Sequence, residues 1–174
     1  MPTPPEQALL LVGTLFSRPD IYPKALRCLE ECFGEAIMES PMIEWDFSEH
    51  YKEELGGPIF RRFIFFRKLI EQDHLSACKL KTCEIENSLS DDGKRTINLD
   101  PGYLTVAKLV LASTKDYSHR LYLTDGIFAE VTLSYSKDKG KYTPFSYTYR
   151  DYYDERYLRL FSIARSLLIF LSRG

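Results

Sequence analysis

The chain has little of what usually announces a chemistry. None of its 174 residues form a GxGxxG fingerprint, a P-loop, a GxSxG elbow or an HExxH pair. That removes the sequence grounds for a Rossmann, Walker-type, α/β-hydrolase or zincin mechanism. Three histidines leave little room for a multi-histidine metal site. The four cysteines, Cys28, Cys32, Cys78 and Cys83, lack the two-residue gap of most zinc knuckles and are too sparse for a disulfide scaffold. Buried free thiols are the expectation. No apolar run approaches the ~20 residues of a membrane span. The start, Met1-Pro2-Thr3-Pro4-Pro5-Glu6, lacks the basic stretch of a signal peptide, so a cytoplasmic protein is expected. Charge of one sign is missing too. A net charge of −2 gives no bulk attraction for nucleic acid or anionic lipid.

What is present is an ordinary core-forming composition, 44 % hydrophobic and 28 % charged, and no linker or repeat divides it. One α+β domain over residues 1–174 is expected. Ala8 to Phe16 reads as a buried strand, and Ile21 to Phe33 as a helix capped by Asp20 and stopped by Gly34. Short strands follow at Ala36 to Met38 and around Ile43, Trp45 and Phe47. Phe60 to Phe66 is an aromatic strand in which Arg61 or Arg62 must face inward and need an acidic partner, with Glu54 a candidate. Lys68 to Glu86 reads as helix. Its polar set Lys79, Lys81, Thr82, Glu84 and Glu86 fits a solvated face better than a functional cluster.

Thr96 to Leu99 is a short strand broken by Pro101-Gly102, and Tyr103 to Ala112 leans to helix. Asp125-Gly126 between two β-patterned runs signals a hairpin. Tyr142 to Tyr149 reads as a further strand, and Asp154 caps a last helix to Leu171. The summed expectation is a mixed, mainly antiparallel sheet with helices packed on one face.

Residues 95–135 hold polar side chains where a plain strand does not need them. Asn98 and Asp100 share one strand face, and Glu130, Thr132 and Ser134 share another. Lys115, Asp116, His119 and Arg120 precede the hairpin. Asp100, His119 and Glu130 are candidate catalytic groups: His119 could move protons, and a carboxylate could act as base. Asn98, Lys108, Lys115 and Arg120 are candidates for holding an anionic ligand. Asp100 with Glu130 or Asp116 could instead hold a divalent metal ion. Against these stand plainer roles: a turn hydrogen bond for Asp100, a cross-strand ion pair between Glu130 and Arg120, and a structural His119.

The run Asn98-Leu99-Asp100-Pro101-Gly102-Tyr103-Leu104, with Thr114-Lys115-Asp116, His119-Arg120 and Ala129-Glu130-Val131-Thr132-Leu133, resembles an uncharacterised prokaryotic family, domain of unknown function family 4416. The likeness spans almost the whole chain. Cys83 and Tyr147 depart from it, standing where the family pattern has Asn and Trp. The resemblance implies no established activity, so whether the chain is an enzyme stays open. The residues point to a pocket for a phosphorylated or carboxylated small ligand. The alternative is a non-catalytic module that binds protein or RNA through the Tyr-rich C-terminal third, with Arg150, Arg156 and Arg159 among its rings.

Overall fold

The computed structural model describes residues 1–174. Nine strands and four α-helices form one α+β unit around a single sheet in which every pairing is antiparallel. The strands are β1 (Leu9–Phe16), β2 (Ala36–Glu39), β3 (Ile43–Trp45), β4 (Ile59–Phe66), β5 (Ile97–Leu104), β6 (Lys108–Ser113), β7 (Leu121–Thr124), β8 (Ile127–Ser136) and β9 (Lys141–Pro144). The helices are α1 (Ile21–Phe33), α2 (Glu49–Leu55), α3 (Leu75–Ser88) and α4 (Glu155–Leu171). The strand order is β2-β4-β1-β5-β6-β8-β7, with β3 also on β4 and β9 also on β8.

β1 is central and buried along its whole length, which is why its sequence is a continuous apolar run without alternation. Its two faces feed two cores. Leu10, Val12 and Phe16 pack with Ile64 and Phe66 under α1 and α3. Leu9 and Leu11 pack with Phe63, Phe65 and Leu104 under Tyr157, Phe161 and Leu168 of α4. The expectation of helices on one face thus describes α1 and α3, and α4 covers part of the opposite face.

Of the caps expected at Asp20 and Asp154, one forms. Asp154 accepts the Arg156 amide at 2.9 Å. Asp20 makes no capping bond and pairs instead with Arg18 at 3.0 Å. The hairpin at Asp125-Gly126 is present, with both residues at positive φ (53° and 76°). α2 was not anticipated, the long helix begins at Leu75 after a 3₁₀ turn, and β9 stops at Pro144.

The main correction falls on residues 96–112. Pro101-Gly102 lies inside β5, and the expected helix over 103–112 is the β5–β6 hairpin. Thr105 closes that hairpin: its amide donates to the Lys108 carbonyl at 2.9 Å, and its hydroxyl oxygen accepts from the Ala107 and Lys108 amides at 3.2 and 3.1 Å. Pro101 breaks the ladder, and the strand continues. Alternation along β5 turns its nitrogen toward β6, where it has no hydrogen to donate. The β5–β6 register accordingly ends at Gly102↔Leu111, while pairing with β1 continues through Asp100, Leu99, Asn98 and Ile97.

Candidate functional site

Beyond Pro101 the exposed edge of β5 is satisfied by side chains of α3. Lys79 Nζ donates to the Leu99 carbonyl at 2.9 Å, and Glu86 Oε1 accepts the Leu99 amide at 2.5 Å. Two side chains seven residues apart stand in for the missing stretch of β6. Lys79, Thr82 and Glu86 are therefore buried, correcting the solvated-face reading, while Lys81 and Glu84 do form an exposed pair at 2.6 Å.

The opening between β5 and β6 belongs to a cavity of about 590 Å³, within the ~300–1,000 Å³ usual for small-molecule sites. It lies on the α4 side of the sheet, past the residues that α4 covers. Along β1 the register passes from Leu9 and Leu11 beneath α4 to Gly13 and Leu15 beneath the cavity, and along β4 from Phe63 to Arg61. Gly13 leaves room for Arg61: a Cβ at that position would lie 2.8 Å from Arg61 Nη1 and force one of them to shift.

Five of the seven expected site residues, Asn98, Asp100, Lys115, Arg120 and Glu130, converge in the lining. Asn98 Nδ2 donates to Asp100 Oδ2 at 2.7 Å, and Lys79 faces Asp100 Oδ1 at 3.7 Å. Arg95 braces this edge: it donates to Asn98 Oδ1 at 2.9 Å and holds both Glu54 oxygens at 2.7 and 2.8 Å. Arg120 Nε donates to Glu130 Oε2 at 3.0 Å, and Arg120 Nη1 donates to the Ser113 hydroxyl at 2.8 Å and the Lys115 carbonyl at 3.1 Å.

His119 and Lys108 lie outside the lining. His119 Nε2 is bound to Glu130 Oε2 at 2.8 Å, and its ring stacks on Tyr147 at 4.5 Å. Lys108 sits opposite Ser134 at the far end of β6. Asp116 is exposed and does not line the cavity. No three histidine, cysteine, aspartate or glutamate side chains gather at metal-binding spacing.

The opposite wall was not legible in sequence. Arg61 does face inward, but its partner is Asp151, at 2.8 Å, and Glu54 belongs to Arg95. Asp151 Oδ2 also accepts the Trp45 indole N–H at 3.1 Å. Arg61 Nε and Nη1 have no hydrogen-bond partner. The guanidinium instead lies 5.4–5.9 Å from the rings of Trp45, Phe63 and Tyr152, a cation–π cage. Tyr51, Phe47 and Tyr149 extend this aromatic wall to the mouth.

Most charge in the cavity is spoken for. Asp151 is taken by Arg61, Glu130 by Arg120 and His119, and Glu54 and Glu86 by Arg95, while Asp100 faces Lys79. Lys115 and Arg150 line the cavity with no carboxylate partner.

The tyrosines of the C-terminal third do not gather on one open surface. Tyr142, Tyr152 and Tyr157 are core residues, while Tyr149 and Tyr153 are exposed.

The two glutamates behind Arg95 titrate in opposite directions. Hydrogen bonds from Arg95 hold the Glu54 carboxyl below its ordinary 4.5. Burial pushes Glu86 above 4.5, against the opposing pull of Lys79 and the Leu99 amide. A lowered folded pKa means that Glu54 stabilises the fold above the unfolded value, and that this contribution is lost as pH falls through the folded value. A raised one means that the folded state binds the Glu86 proton more tightly, so stability falls as pH rises through the window above 4.5. Urea unfolding as a function of pH should show Glu54→Gln reducing the acid loss, and Glu86→Gln removing a loss on the alkaline side of that window. Slopes of the same sign in both variants would contradict these assignments.

The family model described as Domain of unknown function (DUF4416) matches residues 6–167. The chain belongs to that family. The matched span contains every residue lining the cavity. No curated protein and no solved structure matches the chain. No helix is long and apolar enough to cross a membrane.

Proposed function

We propose that this DUF4416 protein is a cytoplasmic protein that binds a small phosphorylated or carboxylated ligand in the cavity between β5 and β6. The observation that carries the reading is the pair of unpartnered cations, Lys115 and Arg150, lining a cavity whose other charges are matched. An anion entering there gains two charge-assisted contacts without breaking an existing ion pair. Arg120 and His119 act on Glu130 and fix the loop that carries Lys115. Asp100, accepting from Asn98 and facing Lys79, is the carboxylate positioned to take a proton from a bound ligand if the protein is an enzyme. Four free cysteines fit a reducing compartment.

Ligand that binds only the folded state raises its stability, by about 2.7 kcal/mol at a hundredfold excess over Kd. Thermal unfolding in inorganic phosphate, citrate and sugar phosphates should therefore show a raised Tm with at least one of them. The Lys115→Ala/Arg150→Ala protein should lose that rise. No rise with any of these anions, or one that survives the double substitution, would overturn the reading.

A further inference from the structure

Folding does not account for two of the rings around the cavity. Phe47 and Tyr149 remain 47 % and 55 % exposed, yet both line it. Behind them the wall is aromatic: Trp45 lies 5.8 Å from Phe47 and 5.5 Å from Tyr51, ring centre to ring centre. Trp45 and Tyr51 line the same cavity. Exposed aromatic surface beside unpartnered cations suits a ligand with one flat face and one charged end. Tyr149 and Arg150, adjacent in sequence, both line the cavity, so it offers a ring and a guanidinium to one ligand. Lys115 lines the same cavity from the loop after β6. Two separate cations match a dianion better than a single carboxylate.

We infer that the ligand is a planar ring bearing a phosphate group, of about the size of a nucleoside monophosphate, with the ring against Phe47 and Tyr149 and the phosphate between Lys115 and Arg150. This rests on the anion-binding reading above and adds the ring.

The test is calorimetric titration of the full chain with AMP, CMP, ribose 5-phosphate and inorganic phosphate. Stacking of a base on an aromatic side chain contributes ~1–3 kcal/mol, which is roughly thirtyfold in Kd at its middle. The tighter of AMP and CMP should therefore bind roughly thirtyfold more tightly than ribose 5-phosphate. Phe47→Ala/Tyr149→Ala should remove that difference while leaving ribose 5-phosphate unchanged. Both rings are exposed, so the substitutions spare the core. Equal affinity for ring-bearing and ring-free phosphates would overturn the ring and leave the anion site standing. Failure of all four to bind would overturn both. An advantage for the ring that survives the double substitution would place the ring elsewhere and overturn the inference.

Discussion

Asp151→Ala is expected to destabilise the protein by about 3–5 kcal/mol, the usual effect of leaving one member of a buried ion pair without its partner. Arg61 and Asp151 are each about 95 % removed from solvent, and Asp151 is the only group hydrogen-bonded to the Arg61 side chain. Removing the carboxylate strands a guanidinium that always stays charged, together with the Trp45 N–H. Cation–π contacts with three rings reduce the penalty without replacing a counter-ion. The double variant Arg61→Met/Asp151→Leu should lose less than Asp151→Ala alone, because it removes the charge along with its partner. Urea unfolding of the three proteins decides this. A loss below about 1 kcal/mol for Asp151→Ala, in the range of a surface pair, would mean that Arg61 finds water and that this wall is not closed.

The second large effect is at Glu130. One carboxylate there accepts from Arg120 at 3.0 Å and from Thr132 at 3.2 Å and meets His119 at 2.8 Å, with Glu130 and Arg120 both buried. Glu130→Ala should again cost about 3–5 kcal/mol, by leaving Arg120 uncompensated. It should also release the loop before β7, since Arg120 holds the Lys115 carbonyl. Backbone hydrogen exchange of residues 114–120 should accelerate in the variant, while the β1–β4 ladder keeps its relative protection. Unchanged exchange in the loop would assign Glu130 to the sheet alone. His119→Ala should have the smaller effect, because Arg120 remains on Glu130. His119 thus serves as a clamp that holds the cavity wall from outside.

Legibility in the sequence followed how local the deciding interactions are. β1, α1, the Asp125-Gly126 hairpin and the capped α4 depend on runs and turn residues within a few positions, and all four stand where the pattern puts them. Residues 103–112 misled because Leu104, Ala107 and Val110-Leu111 are spaced as on a helix. What decides there is the Thr105 side chain closing a turn and a proline nitrogen facing a strand from which it detaches. Half of the site came from one stretch, and Asn98, Asp100, Lys115, Arg120 and Glu130 were recognisable because their polarity interrupts buried strands. The other half depends on contacts between distant segments. Nothing near Arg61 in sequence announces Asp151, 90 residues away. Lys79, Thr82 and Glu86 did carry a signal: at that spacing they share the helix stripe of Leu75, Cys78 and Ile85, so a solvated reading placed polar groups on the buried face.

The most direct test of the central claim uses the protein's single tryptophan. Trp45 is buried and lines the cavity, so its emission responds to what enters that space. Titration with inorganic phosphate and with AMP should change Trp45 emission saturably in the native protein, and the response should be lost in Lys115→Ala/Arg150→Ala. Emission that stays flat with both ligands, or changes identically in the double variant, would contradict the account of this cavity as an anion-binding site.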